Sequence, residues 1–324
     1  MAQPDGVITA SAPGKCILFG EHAVVYGEPA VAIAVEQRMH IKLVPSSAWS
    51  LNGAALNKGK HPHVWSLLEG MGGLENVPPM DIHTSGNIPR SSGLGSSAAL
   101  SASMIRALES HLNRTFTEED AGRMAHEAEA FSQQGRASPM DTSTSLLGGV
   151  VVLSNRPEDG LNWRYRRSLR MPETEVSWHI HDIDVGLEDL YLVIGNTGVH
   201  APTLGQVKKV AKALSNDPSL SQVITTIGAI TRRGLAALKE GDAERVGRAM
   251  TENHLALRSL GVSSAELEHL IQAAAPSSLG VKLTGAGGGG CMMALTREPE
   301  TTRRAIELAG GEAMVSSFPN AGAR

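Results

Sequence analysis

A segment rich in glycine and serine lies between a predicted strand and a predicted helix, and its residue types suit the binding of a phosphate group. The segment is Pro89-Arg90-Ser91-Ser92-Gly93-Leu94-Gly95-Ser96-Ser97-Ala98. Glycines allow a sharp turn that presents backbone N–H groups, and the N-terminus of a helix favours negative charge. A helix start that merely packs closely would use the same residues, so both interpretations stay open. Neither a P-loop (G-x-x-x-x-G-K-S/T) nor a complete dinucleotide-binding fingerprint is present.

Two other segments combine glycines with residues that could act on a substrate. Ala12–Gly27 (APGKCILFGEHAVVYG) carries a lysine, a glutamate and a histidine, although a hairpin with a surface ion pair would look the same. Lys282–Cys291 (KLTGAGGGGC) contains four consecutive glycines between two predicted strands. Such open backbone allows another group to approach closely, and a flexible hairpin tip is the alternative.

In this order, the three segments resemble the three signature motifs of the GHMP kinases, the superfamily that includes galactokinases, homoserine kinases, mevalonate kinases and phosphomevalonate kinases. The resemblance makes the first segment a substrate-side motif, the second an ATP loop and the third a glycine loop that supports both. Gly20–Gly27 (GEHAVVYG) and Asn253–Ser264 (NHLALRSLGVSS) are similar to mevalonate kinases in particular. The resemblance implies ATP-dependent phosphorylation of mevalonate to 5-phosphomevalonate, a step of isoprenoid biosynthesis, with Mg²⁺ as cofactor.

The resemblance also assigns a catalytic pair of charged residues. Asp141, within Ser138–Thr144 (SPMDTST), matches the aspartate that faces the substrate alcohol in the family, and Lys15 matches the lysine beside it. We expect the lysine charge to lower the pKa of Asp141 and to stabilise negative charge on the reacting oxygens. Without the resemblance, Asp141 would be interpreted as a helix cap. Whether Asp141 removes the proton or only orients the alcohol stays open.

Metal and substrate contacts are implied by the same resemblance. Ser97 matches the metal-binding serine of the family, and Glu129 is our choice over Glu127 for the matching acid, although either glutamate could be a solvated helix residue. The residues that match the substrate site are Lys15, Glu21, His22, Asp141, Thr197, Gly285 and Ala286. In isolation, Thr197 would be interpreted as a turn residue at the end of a strand.

Two alternatives to this function stay open. The first is another GHMP kinase, such as a phosphomevalonate kinase or a kinase for the 3-hydroxyl of mevalonate. A phosphorylated substrate would call for additional arginine or lysine side chains, and the first segment offers only Lys15. The second is a non-catalytic member that binds nucleotide or a partner. Damage to the catalytic set would be expected there, whereas Lys15, Ser97 and Asp141 are all present.

Two histidine pairs have the spacing of metal ligands, but we do not expect a metal at either. In His61-Pro62-His63 the proline stiffens the backbone, and no third ligand is evident nearby in the sequence. His179-Ile180-His181 is better explained as one exposed face of a strand.

Predicted strands and helices must position these residues. They do not alternate strictly along the chain, which indicates the α+β class. The predicted strands are Val7–Ala12, His40–Val44, Asp81–Ser85, Leu146–Leu153, Leu190–Gly195, Gly280–Thr284, Gly290–Leu295 and Ala313–Ser317. The predicted helices are His63–Glu69, Ser97–Leu112, Thr117–Gln134, Val207–Leu214, Ser221–Glu240, Asp242–Leu260, Ser264–Ala275 and Glu298–Ala309. The resemblance implies a ribosomal-protein-S5-like N-terminal domain and a ferredoxin-like C-terminal domain.

Length and composition narrow the remaining possibilities. A chain of 324 residues exceeds what one core usually supports, so we expect two domains, 1–176 and 177–324, divided near the end of the polar stretch Gly160–Val176. The formal net charge of −4 argues against a nucleic-acid partner. Two distant cysteines argue against a disulfide framework and favour a cytoplasmic setting. We expect no membrane-spanning segment and no signal peptide, and a homodimer follows from the resemblance alone.

Overall fold

The computed structural model describes residues 6–89, 92–133, 135, 137–170 and 175–319. Its strands are β1 (Ile8–Phe19), β2 (Ala30–Pro45), β3 (Ser50–Leu51), β4 (Ala54–Ala55), β5 (Met80–Gly86), β6 (Val150–Ser154), β7 (Asn162–Arg170), β8 (Glu175–Ile183), β9 (Tyr191–Asn196), β10 (Gly280–Leu283), β11 (Cys291–Thr296) and β12 (Glu312–Ser317). Its α-helices are α1 (Pro62–Gly70), α2 (Ser96–His111), α3 (Glu118–Ser132), α4 (Met140–Leu147), α5 (Thr203–Asn216), α6 (Ser221–Glu240), α7 (Ala243–Ser259), α8 (Ala265–Ala274) and α9 (Pro299–Leu308). Among the described residues, none of these helices combines the length and apolar character needed to cross a bilayer.

Two sheets organise the chain, which confirms the predicted α+β class. The first sheet has eight strands, in the order β4-β3-β5-β2-β6-β8-β7 with β1 also paired to β2. The second has four strands, in the order β10-β11-β9-β12. One apolar cluster contains Phe19 and Val31 of the first sheet together with Ile194 and Met292 of the second. A continuous core therefore joins the two sheets.

The antiparallel pair β1 and β2 carries the first glycine-containing segment. Strand β1 continues well beyond the predicted strand Val7–Ala12 and ends at Phe19. Its register against β2 shifts between Pro13 and Lys15. Proline cannot donate a hydrogen bond to the ladder, and such an irregularity changes the direction of the next side chain. Lys15 consequently leaves the regular alternation of the strand at the point where the second segment approaches.

The helices agree with the sequence predictions where a capping signal or an apolar face is present. Thr117 caps α3, because its side chain accepts a hydrogen bond from the Asp120 N–H at 3.1 Å. Helix α4 has no counterpart among the predicted elements, although it carries Asp141. Gly148 and Gly149 have φ angles of 72° and 61° and end this helix. The strand predicted over Leu146–Leu153 is therefore shorter than expected: only its second half is strand, as part of β6.

Strand β7 and the start of β8 lie in the polar stretch Gly160–Val176, near the end of which we placed the domain boundary. They pair with each other, and β8 also pairs with β6 of the first sheet. The predicted boundary at residue 176 therefore falls inside β8, whose hydrogen bonds hold it in the first sheet. The change from one sheet to the other lies between Ile183 and Tyr191. The division into two domains stays a prediction.

The histidine pair on β8 is not the exposed face that the sequence suggested. His181 is fully buried, and its Nε2 accepts a hydrogen bond from the Glu158 N–H at 3.2 Å. Burial lowers the pKa of His181. His179 on the same strand faces the indole of Trp163, whose Nε1–H donates to its Nδ1 at 3.3 Å. The exposed-face prediction is therefore wrong for His181.

Candidate functional site

The first and second segments meet at Lys15. Its backbone N–H donates to the Leu94 carbonyl at 2.9 Å, and its Nζ donates to the Gly93 carbonyl at 2.9 Å. Gly95 has a φ of 72°, and a Cβ at this position would lie 3.0 Å from Lys15 Cγ. A side chain at residue 95 would therefore crowd the lysine stem and strain the backbone, which favours glycine at this position.

The third segment packs against both of the others. Thr284 Oγ1 accepts a hydrogen bond from the Ile17 N–H at 2.9 Å, which ties the segment to β1. A Cβ at Gly290 would lie 2.9 Å from the Ser92 carbonyl oxygen. The glycines thus allow two backbone loops to come into direct contact. The three segments singled out in the sequence form one site.

Asp141 lies at this junction, in the first turn of α4. Its Oδ2 is 3.1 Å from Lys15 Nζ, and Lys15 is 2% exposed whereas the Asp141 side chain is 35% exposed. Pro139 holds the N-cap position, so the alternative of a capping aspartate is wrong. Burial raises the pKa of Asp141, Lys15 opposes that effect, and Glu129 adds to it. Lys15 therefore lowers this pKa, as expected, but burial outweighs the effect of the lysine and the net shift is upward.

The second segment leads directly into the N-terminus of α2. Gly95 is the N-cap residue, and no side chain caps the helix. Ser96, Ser97 and Ala98 form the first turn, where backbone N–H groups and the helix dipole favour an anion. Before the helix, the Ser92 hydroxyl donates to the Pro89 carbonyl at 2.8 Å. The remaining predicted ATP residues, Arg90 and Ser91, lie outside the described residues.

Glu129 rather than Glu127 faces the start of α2. The Ser97 hydroxyl donates to Glu129 Oε1 at 3.2 Å, and the Glu129 side chain is only 7% exposed. Burial alone would raise its pKa, but hydrogen bonds from His63, Ser97 and Gln133 lower the pKa of Glu129 below its ordinary value. Glu127 is 47% exposed and pairs with Arg123 at 3.3 Å. The geometry therefore favours our choice of Glu129, which keeps an ionised carboxylate beside Ser97.

Glu21 occupies a different position from the one expected for a substrate contact. It is 1% exposed and forms an ion pair with Lys282, which is fully buried. The Asn253 side-chain amide donates to its second oxygen, Oε2, at 2.9 Å. Both carboxylate oxygens are thus engaged inside the protein. The structure places Glu21 behind the site, where it links β1 to β10 and α7.

His22 and Thr197 both support the third segment. His22 has a φ of 61°, a conformation that residues other than glycine rarely adopt, and its Nε2 lies 3.0 Å from the Ala286 carbonyl. The carbonyl oxygen can only accept, so the ring nitrogen donates this hydrogen bond, and burial lowers the pKa of His22. The Thr197 hydroxyl donates to the Gly290 carbonyl at 2.8 Å. Contact of these residues with a substrate stays a prediction.

Lys282, Asn253 and His63 are site residues that the sequence analysis did not assign. Lys282 and Asn253 lie within segments that carry the family resemblance, so their positions were visible although their common partner, Glu21, was not. His63 belongs to a histidine pair for which no third ligand was evident in the sequence. The structure supplies a neighbour for it in Glu129, at 3.2 Å.

A surface hollow of about 490 Å³ is lined by none of the residues of the three segments. Its lining residues are Thr9, Ala10, Ser11, His40, Ile41, Lys42 and Ser85, on β1, β2 and β5. It lacks the lysine–carboxylate pair and the helix N-terminus that meet at Lys15. The junction of the three segments is therefore the candidate active site.

Comparisons with known proteins find similar proteins that cover most of the chain. Residues 62–149 match the family model described as GHMP kinases N terminal domain, and residues 235–313 match GHMP kinases C terminal. A mevalonate kinase from Archaeoglobus fulgidus is 35% identical, covering 88% of this chain and 91% of the relative. The crystal structure of the Methanococcus jannaschii mevalonate kinase matches with a TM-score of 0.75 and 25% identity, covering 96% of this chain and 98% of that one. The Streptococcus pneumoniae phosphomevalonate kinase matches with a TM-score of 0.77 but 17% identity, covering 96% and 99%.

Proposed function

The chain belongs to the GHMP kinases, and we propose that it transfers the γ-phosphoryl group of ATP to the 5-hydroxyl of mevalonate. The observation that carries the proposal is the Lys15–Asp141 pair, 3.1 Å apart at the junction of all three signature segments. The 35% identity to a mevalonate kinase over most of both chains supports the choice of substrate. The phosphomevalonate kinase structure shares the fold, but at 17% identity it says nothing about the substrate.

Asp141 and Lys15 have different roles in the reaction: Asp141 acts on the alcohol, and Lys15 acts on the negative charge of the reacting oxygens. The alcohol oxygen forms a bond to the γ-phosphorus while the bond from that phosphorus to the β–γ bridging oxygen breaks, which releases ADP. The exposed part of the Asp141 carboxylate accepts the hydroxyl hydrogen, so it orients the alcohol and takes its proton as the new bond forms. The buried Lys15 ammonium lies beside this carboxylate and stabilises negative charge on the reacting oxygens.

In the proposed function, the nucleotide binds at the start of α2. The turn over Gly93 and Gly95 presents backbone N–H groups, and the uncapped first helical turn favours the negative charge of the phosphates. The third segment packs on this loop at Gly290 and so holds it against β1. Contact of Pro89–Ala98 with ATP stays a prediction.

Mg²⁺ is the expected cofactor, and Ser97 with Glu129 fits it. Both offer oxygen atoms, which Mg²⁺ prefers, and these atoms lie 3.2 Å apart beside the phosphate loop. Magnesium bound to phosphates needs only one or two protein carboxylates, which agrees with the finding that the described residues contain no cluster of three or more His, Cys, Asp or Glu suited to a metal. When bound, the ion would neutralise charge on the transferred phosphoryl group.

The substrate side of the proposal uses the turn after β1 and the third segment. His22, Thr197, Gly285 and Ala286 are the proposed neighbours of mevalonate, whereas Glu21 supports them through the buried pair with Lys282. A homodimer and a cytoplasmic location stay predictions.

A substrate panel tests the proposal. ADP release would be measured with ATP and, separately, mevalonate, phosphomevalonate, homoserine and galactose, and ³¹P NMR of the product would locate the new phosphate ester. We expect turnover with mevalonate and phosphate on the primary 5-hydroxyl. Phosphate on the 3-hydroxyl, or a preference for phosphomevalonate, would establish another GHMP kinase instead. Nucleotide binding without turnover of any alcohol would identify a non-catalytic member.

A further inference from the structure

His63 is the one histidine of the His61-Pro62-His63 pair that reaches the candidate active site. Helix α1 begins at Pro62, and this start places His63 in the first turn, facing α3. Its Nε2 lies 3.2 Å from Glu129 Oε2, and its side chain is 16% exposed. The proposed function uses Glu129 but leaves His63 without a role.

The two oxygens of Glu129 have different neighbours. Oε1 receives hydrogen bonds from the Ser97 hydroxyl, at 3.2 Å, and from the Gln133 amide. Oε2 faces the imidazole of His63. Glutamate has three side-chain torsions, so a carboxylate held at only one oxygen keeps considerable rotational freedom. A second contact at Oε2 restricts that freedom and keeps Oε1 directed toward Ser97.

We propose that His63 is a positioning residue for the metal–nucleotide site: it holds Oε2 of Glu129 so that Oε1 and Ser97 present a ready pair of oxygen ligands. The inference rests on the proposed function, because it assumes that a divalent ion binds at Ser97 and Glu129. Outer-shell partners of this kind orient metal ligands and contribute substantially to metal affinity. His63 acts through the carboxylate rather than as a ligand, since Mg²⁺ prefers oxygen to imidazole nitrogen.

His61 provides a matched control two residues away. Its Nδ1 accepts a hydrogen bond from the Asn57 N–H at 3.2 Å, within its own loop. It shares with His63 the residue type, the neighbouring Pro62 and the same segment of chain. A general effect of altering this segment should therefore follow either substitution, whereas an effect through Glu129 should follow only substitution of His63.

Binding of Mn²⁺ to the full chain, saturated with a non-hydrolysable ATP analogue, tests the proposal without turnover. Free Mn²⁺ would be followed by its EPR signal, with Mg²⁺ as competitor, and each variant would be checked by thermal melting. We expect His63→Ala and His63→Asn to weaken Mn²⁺ binding by about 10-fold, since neither side chain spans the distance to Glu129. His63→Gln, whose longer amide can donate to Oε2, should recover most of the affinity, and His61→Ala should leave it unchanged.

Three results would overturn the inference. The first is Mn²⁺ affinity in His63→Ala and His63→Asn equal to that of the unaltered chain. The second is an equal loss in His61→Ala, which would show a general effect of the segment. The third is a His63→Gln variant that loses Mn²⁺ but keeps Mg²⁺, which would make the imidazole a direct ligand. Failure of the unaltered chain to bind Mn²⁺ with the analogue would instead contradict the proposed kinase function.

Discussion

Two lysine–carboxylate pairs involve the first glycine-containing segment, and they differ mainly in the exposure of the carboxylate. Lys15 pairs with Asp141, and Lys282 pairs with Glu21. Both lysines are almost completely buried, at 2% and 0% exposure. The Asp141 side chain is 35% exposed, whereas Glu21 is 1% exposed. Only the first pair has a side from which another molecule can approach.

The surroundings of the two pairs explain this difference. Lys282 Nζ also donates to the carbonyls of Ile17 at 3.1 Å and Leu283 at 2.6 Å, and Asn253 binds the second oxygen of Glu21. Burial lowers the pKa of Lys282, and Glu21 opposes that effect. A closed network of this kind can hold strand β1 against β10 and α7, but it offers no group to a substrate.

Two pairs of the same kind, each a lysine with a carboxylate, therefore serve different purposes within one site. The open pair, Lys15–Asp141, can exchange a proton with an alcohol in the proposed function. The closed pair, Lys282–Glu21, fixes the turn in which His22 adopts its φ of 61°. A perturbed pKa alone would not separate them, because burial shifts Asp141 and Lys282 alike away from their ordinary values. Solvent access to the carboxylate therefore distinguishes the pair proposed for catalysis from the pair that stabilises the fold.

Substitution of the open carboxylate should have the largest effect on turnover. Asp141→Asn keeps the shape but cannot accept the proton, so we expect turnover to fall by about 10²- to 10⁴-fold. Binding of an ATP analogue should change little, and thermal melting would separate the loss of chemistry from the cost of leaving the buried Lys15 without its counter-charge. Glu127→Gln is the matched control, since it removes an exposed carboxylate of the same region and should leave turnover unchanged. Unimpaired turnover in Asp141→Asn would remove Asp141 from the mechanism.

Substitution of Lys282, the lysine of the closed pair, should instead lower the stability of the folded protein. Lys282→Met leaves the Glu21 carboxylate buried without its cation, which should lower the free energy of unfolding by about 3–5 kcal/mol in urea titrations. The double variant Glu21→Gln, Lys282→Met removes both charges and should regain a large part of that loss. If the double variant were as unstable as Lys282→Met, the pair would not be the source of the stability. A loss of turnover in stably folded Lys282→Met as great as in Asp141→Asn would end the distinction between the pairs.

The two pairs also show what could and could not be predicted from the sequence. The three segments and most helices were visible as local patterns, such as the Thr117 cap of α3, whereas the lysine–aspartate pair was implied by the family resemblance. The partner of Glu21 was not, because Lys282 lies 261 residues away and nothing local connects the two. Only the packing of β1 against the second half of the chain, as at the hydrogen bond between Ile17 and Thr284, brings them together.

Elements without a clear apolar pattern were also missed. Strand β7 (NWRYRRSLR) is rich in arginine, so few apolar residues mark it in the sequence, although it pairs with β8 and buries Tyr165 in an apolar cluster. Helix α4 (MDTSTSLL) consists largely of residues with weak helix propensity, and its serines and threonines are buried against neighbouring elements. Tertiary contacts determine both elements, and α4 carries the aspartate proposed as catalytic.

The smallest expected effect concerns the dependence of stability on pH. The pKa of Asp141 is raised in the folded protein, so between the ordinary aspartate range and the raised value the folded state binds more protons than the unfolded state. The free energy of unfolding should therefore fall as pH rises through that window. For Lys282 the pKa is lowered, so its contribution should rise with pH toward the ordinary lysine range. The open and closed pairs thus give slopes of opposite sign.

Asp141→Asn isolates the first of these slopes. The variant cannot titrate at this position, so its free energy of unfolding minus that of the unaltered chain should increase as pH rises from the acid side of the aspartate range toward neutrality. Urea titrations at several pH values measure this difference, and Asp159→Asn, at an exposed position, corrects for the general loss of one carboxylate. Because Asp141 is 35% exposed and faces Lys15, solvent and the lysine both reduce the cost of its charge, so the slope should be shallow. A difference that decreases with pH would mean that Lys15 outweighs burial, and the open pair would then resemble an ordinary stabilising ion pair.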